Sequence, residues 1–338
     1  MTEEQYKESF KCPICNGNKI KKLYDRFPGY VDKTYFDIYK CDECKTQFII
    51  APDTPEELYN AIYSLDCIPG YDRYKRYAVE IVKQTKPLNY LSNQESGYRF
   101  ISDYLNDLGR KNIRILEVGS GLGYLTYALN RAGYPTVGLD LSKSTVEQAK
   151  IKFGNFFINS DLKSFTQKTE SANSKYDLII ATALIEHVTD PVGFIMDCKS
   201  LLSNQGSILL TTDNYYFENG IWDTDSPPVH RFWLSKKTFE VIASILDLSV
   251  SFLSDNGSNI IVDYLLAPKN QNDLNLKPPI LCEDYNSCCP GVENFYFGHH
   301  PYIRKLLYSG KIKHLMNLIF KKFTHYQPSL GVVLQRKQ

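Results

Sequence analysis

Residues 113–142 read IRILEVGSGLGYLTYALNRAGYPTVGLDLS. The apolar run Ile113, Ile115, Leu116 and Val118 ends in a glycine turn, Gly119-Ser120-Gly121-Leu122-Gly123. Apolar residues then recur with helical spacing at Leu125, Ala128, Leu129 and Ala132. That is a strand, a tight turn and a helix. Gly133 stops the helix, a second strand runs through Thr136, Val137, Gly138 and Leu139, and Asp140 stands at its carboxyl end. In an open α/β sheet, ligands bind outside the carboxyl ends of the strands, where an acid is placed to accept from ribose hydroxyls.

The glycine spacing discriminates between nucleosides. A dinucleotide fingerprint is G-x-G-x-x-G, with a pyrophosphate at the helix N-terminus. Here the third glycine comes one residue early, and Tyr124 stands where that motif requires Gly. Glu117, on the strand before the turn, would repel a pyrophosphate but attract a sulfonium or an ammonium. Taken alone, such a turn also suits a ligand-free strand-to-helix connection. The E-x-G-x-G-x-G pattern resembles the first motif of class I S-adenosylmethionine-dependent methyltransferases. The resemblance puts Glu117, Gly119, Gly121, Gly123, Asp140 and the adjacent Leu141 on the cofactor, with Asp140 on its ribose.

The resemblance continues in the family's order. Phe156, Phe157 and Ile158 read as a third strand, and Asp161 follows at the place that holds the adenine amino group in many relatives. Tyr176 to Thr182 (YDLIIAT) reads as a buried fourth strand, followed by Ala183-Leu184-Ile185-Glu186-His187-Val188 and a helix from Asp190-Pro191. Ala183 is counted with the cofactor residues, and E-H-V-x-D-P is similar to the branch known as type 11 or type 12. Gly206 to Thr212 (GSILLTT) reads as a fifth strand. The implied fold is an α/β, doubly wound, mostly parallel seven-stranded sheet of the Rossmann-like class I methyltransferase type, preceded by a small zinc ribbon.

The ribbon rests on Cys12-Pro13-Ile14-Cys15 and Cys41-Asp42-Glu43-Cys44. Each pair presents two thiolates from one knuckle, and two knuckles complete a tetrahedral site for structural zinc. A rubredoxin-like iron site and free cysteines are the alternatives. Four thiolates leave no position for water, so the site is assigned to folding. Cys282, Cys288 and Cys289 form a looser cluster, read as packed or surface thiols, with a second metal site as the alternative.

Methyl transfer from a sulfonium is an in-line displacement, in which positioning and removal of an acceptor proton are the main tasks of the enzyme. Two histidines have suitable addresses. His187 follows the fourth strand beside Glu186; the alternative is a turn histidine that fixes the loop. His230 lies in Ser226-Pro227-Pro228-Val229-His230-Arg231-Phe232-Trp233-Leu234-Ser235, which resembles the P-P-x-H segment of type 12 enzymes, including members in sugar and polysaccharide pathways. These two are the candidate catalytic residues, with His230 preferred. Tyr215, Tyr216 and Trp222 are candidates for stacking on an acceptor, and Arg231 for pairing with a nucleotide-sugar phosphate, against packing or capping roles. Tyr71, Tyr77 and Tyr98 are candidate lid residues, with core aromatics as the alternative.

The 338 residues, 43% hydrophobic, suit one large or two modest domains. We divide them into a zinc ribbon (1–50), a helical connector (51–97), a methyltransferase core (98–267) and a C-terminal part (268–338). The last carries an amphipathic stretch at 311–323 that suits a docked helix or peripheral membrane contact, and Leu330 to Arg336 reads as the closing strand. The formal net charge of +1 gives no global field for nucleic acid. A polar N-terminus and nine cysteines read as thiols and metal ligands imply a cytoplasmic, soluble protein. The function implied is methyl transfer from S-adenosylmethionine to a small-molecule or glycan acceptor, foremost a nucleotide-linked or glycan-bound sugar. The rivals are an RNA methyltransferase with a recognition ribbon and a non-catalytic cofactor-binding module. The sequence leaves open the oligomeric state and whether O, N or C receives the methyl group.

Overall fold

The structure is a computed structural model and describes residues 10–65, 71–169, 175–215, 226–254, 280–286 and 329–337. The chain begins with strands β1 (Ile20–Pro28), β2 (Tyr35–Cys41) and β3 (Gln47–Ile49), followed by helices α1 (Glu56–Ser64), α2 (Asp72–Glu80), α3 (Pro87–Ser92) and α4 (Ser96–Leu108). Then come β4 (Ile115–Val118), α5 (Tyr124–Arg131), β5 (Thr136–Asp140), α6 (Lys143–Phe153), β6 (Phe157–Asn159), α7 (Leu162–Thr169), β7 (Tyr176–Thr182) and α8 (Pro191–Leu201). The remaining elements are β8 (Leu202–Asp213), β9 (Phe232–Trp233), α9 (Lys236–Ile245), β10 (Leu248–Leu253) and β11 (Ser329–Arg336).

The large sheet has seven strands in the order β10-β11-β8-β7-β4-β5-β6. β8, β7, β4, β5 and β6 are parallel, whereas β11 runs antiparallel to both β8 and β10. The chain winds outward from β4 through β5 to β6 and returns to β7 on the other side of β4. The strand order therefore reverses between β4 and β7, and their carboxyl ends form the crevice of a doubly wound sheet. β4 is buried at all four residues, as a strand covered on both faces by helices requires.

Local chemistry fixes the helix ends. Asp190 accepts from the Gly193 amide at 2.9 Å with Pro191 at the first helical position, so α8 starts at once after the β7 loop. Ser235 and Thr238 form a reciprocal capping box at α9, and Gly109, at φ 63°, closes α4. β8 starts at Leu202, directly after α8, earlier than the Gly206 expected from the sequence.

The ribbon is not a separate unit. Its sheet has four strands in the order β1-β2-β3-β9, and the fourth comes from the segment between β8 and α9. Gln47 pairs with Trp233 and Phe48 with Phe232. The hydrophobic core is continuous as well, joining Cys12, Ile14, Cys41, Cys44 and Phe48 to Phe232, Leu234, Phe239 and Ile242. Spacing within 1–50 could not reveal a strand contributed from residue 232. Cys282 is disulfide-bonded, which corrects its reading as a thiol. The stretches 260–266 and 311–323, together with Cys288 and Cys289, lie outside the described residues. No helix among the described residues is long and apolar enough to cross a membrane.

Candidate active site

Gly119, Gly121 and Gly123 have φ of 74°, 48° and 80°, the left-handed region that glycine enters at low cost. A Cβ at Gly123 would lie 2.7 Å from Phe157 Cζ and 2.8 Å from Ala149 Cβ, so this glycine lets α5 approach the sheet. At Gly121 the nearest atom to such a Cβ is Tyr63 Oη at 3.9 Å. The middle of the turn thus faces open space under a tyrosine from α1.

Asp140 ties this turn to β5. Its Oδ2 accepts from the Gly121 amide at 2.7 Å and its Oδ1 from the Ser142 amide at 2.9 Å. Each carboxylate oxygen keeps a further lone pair. Burial raises the Asp140 pKa, against the lowering effect of the Ser142 and Gly121 amides. Leu141 beside it is 74% exposed, an apolar platform at the rim. Asp161 caps α7, with Oδ1 accepting from the Ser164 amide at 2.7 Å. At the end of β7, Ala183 has φ 47°, uncommon for a residue with a side chain, and the next residue, Leu184, packs over Gly119.

Glu117 is buried and accepts a hydrogen bond from Thr126 Oγ1. Burial pushes its pKa up to about 8. Glu186 is 2% exposed and its Oε2 makes no hydrogen bond among the described residues; burial raises its pKa to about 7. Asp213, at the end of β8, is raised to about 7 by burial and by the charge of Glu186, against the opposing field of Arg73. Arg73 donates from Nε to Glu95 Oε1 at 2.7 Å and from Nη2 to Tyr74 Oη at 2.9 Å. The crevice is therefore rich in buried carboxylates, and desolvated acids are stabilised in their ionised form by a cationic ligand.

The two histidines meet. Their rings contact edge to face with centroids 4.7 Å apart. His187 Nδ1 lies 2.7 Å from the Val229 carbonyl oxygen, and burial lowers its pKa. His230 is 6% exposed and lies 6.0 Å from the Trp233 ring. The Glu186 carbonyl accepts from the Arg231 and Phe232 amides at 3.0 and 3.1 Å, joining the β7 loop to the His230 segment.

Two acceptor-side expectations need correction. Arg231 is buried and donates to the carbonyls of Ala51 (2.7 Å) and Pro52 (2.8 Å), so it is engaged inside the protein and is not presented to a phosphate. Tyr215 is 6% exposed and packs with Trp233, Phe27, Ile38 and Ile49 in the ribbon core, away from an acceptor-stacking position. Tyr216 and Trp222 lie outside the described residues. Tyr77 and Tyr98 are core residues, and Tyr71 packs on Tyr63 and Tyr74. Sequence reading missed Tyr63, Tyr74, Arg73 and Asp213. Tyr74 stacks on Tyr124 with centroids 6.4 Å apart, and its i, i+3 relation to Tyr71 and Tyr77 was the available signal.

The four cysteines of the ribbon come together. Cys12 and Cys44 Sγ are 3.5 Å apart, as are Cys15 and Cys41 Sγ, and all four sulfurs lie within 4.8 Å of one another. A tetrahedral zinc–thiolate site has sulfurs about 3.8 Å apart, from zinc–sulfur bonds of ~2.3 Å. Asn16 and Lys45, which follow the second cysteine of each pair, have matching φ of 58° and 63°. Two equivalent knuckles of four thiols fit a structural zinc ion.

Residues 90–248 match the family model described as a methyltransferase domain. With the strand order, the glycine turn and Asp140, this segment is a class I S-adenosylmethionine-dependent methyltransferase domain. The chain is 30% identical over 110 residues to the ubiquinone biosynthesis O-methyltransferase of Bradyrhizobium diazoefficiens, covering 32% of this chain and 43% of that protein. It is 30% identical over 135 residues to the enzyme of the same name from Actinobacillus pleuropneumoniae, covering 38% and 56%. The chain thus spans about half the length of these curated relatives or less. Among solved structures, the plantazolicin methyltransferase BpumL in complex with SAH aligns with a TM-score of 0.43 at 15% identity, covering 83% of this chain and 97% of that one. A TehB-like SAM-dependent methyltransferase from Corynebacterium glutamicum aligns with a TM-score of 0.39 at 14% identity, covering 72% and 89%.

Proposed function

We propose that the protein transfers a methyl group from S-adenosylmethionine to a hydroxyl of a small polar acceptor, with a nucleotide-linked or glycan-bound sugar as the first class to test. The observation that carries this reading is the His187–His230 pair beside Glu186, at the carboxyl end of β7 and next to the glycine turn of β4.

The residues present fit the cofactor. Gly121 leaves room above the turn, Asp140 offers acceptors to a ribose, Leu141 offers an apolar face, and Glu117 offers negative charge. S-adenosylmethionine supplies an electrophilic methyl group on a cationic sulfur. The chain itself must orient the acceptor, exclude water and take up its proton. A carbonyl oxygen only accepts, so the bond to Val229 places the proton of His187 on Nδ1 and leaves Nε2 with its lone pair. Burial disfavours the imidazolium, so the ring is held in the form that accepts a proton near neutral pH. His230, in edge contact, is the second candidate for the same task.

Glu186 Oε2 and the neighbouring Asp213 support an acceptor carrying several hydroxyl donors, since a buried carboxylate oxygen needs a hydrogen-bond donor or a cation. With Arg231 engaged by Ala51 and Pro52, the support lies in the carbohydrate part of the acceptor and not in a phosphate. The names of the curated relatives favour a second reading, O-methylation of a ubiquinone precursor. Incubation of the purified protein with methyl-labelled S-adenosylmethionine and a panel of nucleotide sugars, glycans, ubiquinone precursors and RNA tests both. Label in a sugar supports the first reading, label in a ubiquinone precursor replaces it with the second, and label in RNA overturns both.

A further inference from the structure

The segment that carries His230 is held from two sides, by the ribbon with the start of the connector and by the methyltransferase domain. On one side, the Tyr30 amide donates to the Pro227 carbonyl at 2.7 Å, Thr54 Oγ1 to the Pro228 carbonyl at 2.9 Å, and the Ile49 amide to the Arg231 carbonyl at 3.1 Å. The Arg231 guanidinium grips Ala51 and Pro52, and β9 extends the ribbon sheet beside β3. On the other side, the Arg231 and Phe232 amides donate to the Glu186 carbonyl, the Tyr215 amide donates to the Leu234 carbonyl, and His187 Nδ1 meets the Val229 carbonyl. The second cysteine knuckle touches the same structure. Thr238 Oγ1 donates to the Cys44 carbonyl at 3.2 Å and lies 3.1 Å from Thr46 Oγ1, while the Cys44 thiol lies 3.2 Å from Thr46 Oγ1. Six residues, 45–50, with β3 among them, separate Cys44 from Ala51, the first of the residues that grip Arg231.

We infer that the four-cysteine site is a positioning device for the acceptor side: zinc occupancy sets the order of residues 226–235 and with it the placement of His230 against His187. Two knuckles joined by short strands hold their shape through the metal, because the metal-binding free energy is folding free energy in such small units. Without the metal, β3 loses its anchor at Cys44, β9 loses its sheet neighbour among the described residues, and the Arg231 grip goes with them. One face of β4 and β7, with Ile115, Leu178 and Ile180, packs on helices of the methyltransferase domain, while Leu116, Val118, Ile179 and Ala181 share a core with the ribbon, α8 and α9. The glycine turn and these strands keep their structure, so the cofactor side outlives the acceptor side. The inference rests on the proposed reading only in naming His187 and His230 as acceptor-side groups; the coupling itself is independent of turnover.

The test uses the full chain carrying Trp222→Phe, which leaves Trp233 as the one tryptophan of the two in the sequence. Trp233 is fully buried in the ribbon sheet. Zinc is removed with a chelator, its loss is verified by elemental analysis, and amide hydrogen exchange, Trp233 emission and S-adenosylhomocysteine affinity are followed. The expected result is a red shift of Trp233 emission and exchange at least about tenfold faster at 226–235. Amides of β4 and β7 stay protected, cofactor affinity is unchanged, and zinc addition restores the starting state. A second variant, Arg231→Met, should retain zinc yet show faster exchange at 226–235, because it removes the grip without touching the knuckles. Three results would each overturn the coupling: zinc lost with 226–235 still protected, collapse of β4 and β7 together with the ribbon, or no zinc in protein produced with zinc supplied. Failure to find a methylated acceptor would leave these exchange and emission readouts unaffected, so the two proposals fail separately.

Discussion

His187 Nδ1 donates to the Val229 carbonyl oxygen at 2.7 Å, a bond from the loop after β7 to the residue that precedes His230. It fixes both the tautomer of one histidine and the approach of the other. Replacing His187 or His230 by Ala should lower turnover by about two to four orders of magnitude, with S-adenosylmethionine affinity near wild type. Because burial lowers the His187 pKa, its base form persists below the ordinary histidine range, and the acid limb of kcat/KM should fall below ~6.5. The profile is measured on the acceptor found in the labelling panel. Unchanged turnover in both variants would return the pair to a purely structural role.

Glu117 predicts a pH dependence with a definite sign. Unfolded, its carboxyl ionises in the ordinary range near ~4.3; folded, burial moves it to about 8. Between these values the native state holds a proton that the unfolded chain has released. The stabilising contribution is thus complete at acid pH and is lost as pH rises through about 8. Glu186 and Asp213, both raised to about 7, act in the same direction. The melting temperature of the ligand-free protein should fall from pH 5 to pH 8, and Glu117→Gln should flatten part of that fall. Ionisation is what a sulfonium favours, so S-adenosylmethionine affinity should rise over the same interval in wild type and not in the variant. A pH-independent affinity in wild type would remove Glu117 from the cationic part of the site.

The parts of this fold that were legible in the sequence are those with one periodicity and one covering layer. The strand Tyr176–Thr182 has the bounds its apolar run implied, because a central parallel strand must be apolar on both faces. The glycine turn and Asp140 were legible because φ above zero and a carboxylate at a strand end leave residue-type signatures. The four cysteines were legible through duplicated spacing. Arg231 was misread because a guanidinium flanked by aromatics looks alike whether it faces a ligand or two carbonyls 179 and 180 residues away in sequence. Tyr63 was missed for a related reason: its place over Gly121 depends on how α1 docks, which helical periodicity does not encode.

Gly121 and Gly123 should respond differently to Ala. At Gly123 the new methyl group would sit 2.7 Å from Phe157 and 2.8 Å from Ala149 at φ 80°, inside the packed contact of α5. Overpacking of this kind costs about 1–3 kcal/mol, and the variant should melt clearly lower. At Gly121 the methyl group meets only Tyr63 Oη at 3.9 Å. There the stability loss should be limited to the left-handed backbone, about 1 kcal/mol, while cofactor affinity falls more steeply because the group fills the space above the turn. Calorimetric titration beside thermal melts separates the two effects. Equal loss of affinity and stability at Gly121 would contradict a ligand over that residue.

Asp140 carries two duties that an isosteric change can separate from bulk. In Asp140→Asn one acceptor oxygen becomes an NH2 group, which cannot accept from both the Gly121 and Ser142 amides that the carboxylate now satisfies. The turn loses one tie and the ribose loses a charged acceptor, and hydrogen bonds to charged groups are worth about 1.5–3 kcal/mol. Affinity for S-adenosylhomocysteine should drop by roughly tenfold to a hundredfold. Unchanged affinity by calorimetry would detach Asp140 from the cofactor.

The ribbon should carry one zinc ion per chain. Four sulfurs within 4.8 Å of one another close a tetrahedron and leave no position for water or substrate. The metal is therefore expected to act on structure and not on the reacting groups. Cys15 is the most exposed of the four, so Cys15→Ser disturbs the surrounding core least while replacing a thiolate by a weak zinc ligand. This variant should lose most of its zinc by elemental analysis and melt its ribbon at lower temperature. Its methyltransferase domain should still bind S-adenosylhomocysteine, because Asp140 and the glycine turn lie in the other sheet. Full zinc retention in Cys15→Ser would exclude Cys15 as a ligand, and iron in place of zinc in metal-replete protein would reassign the site to a rubredoxin-like centre.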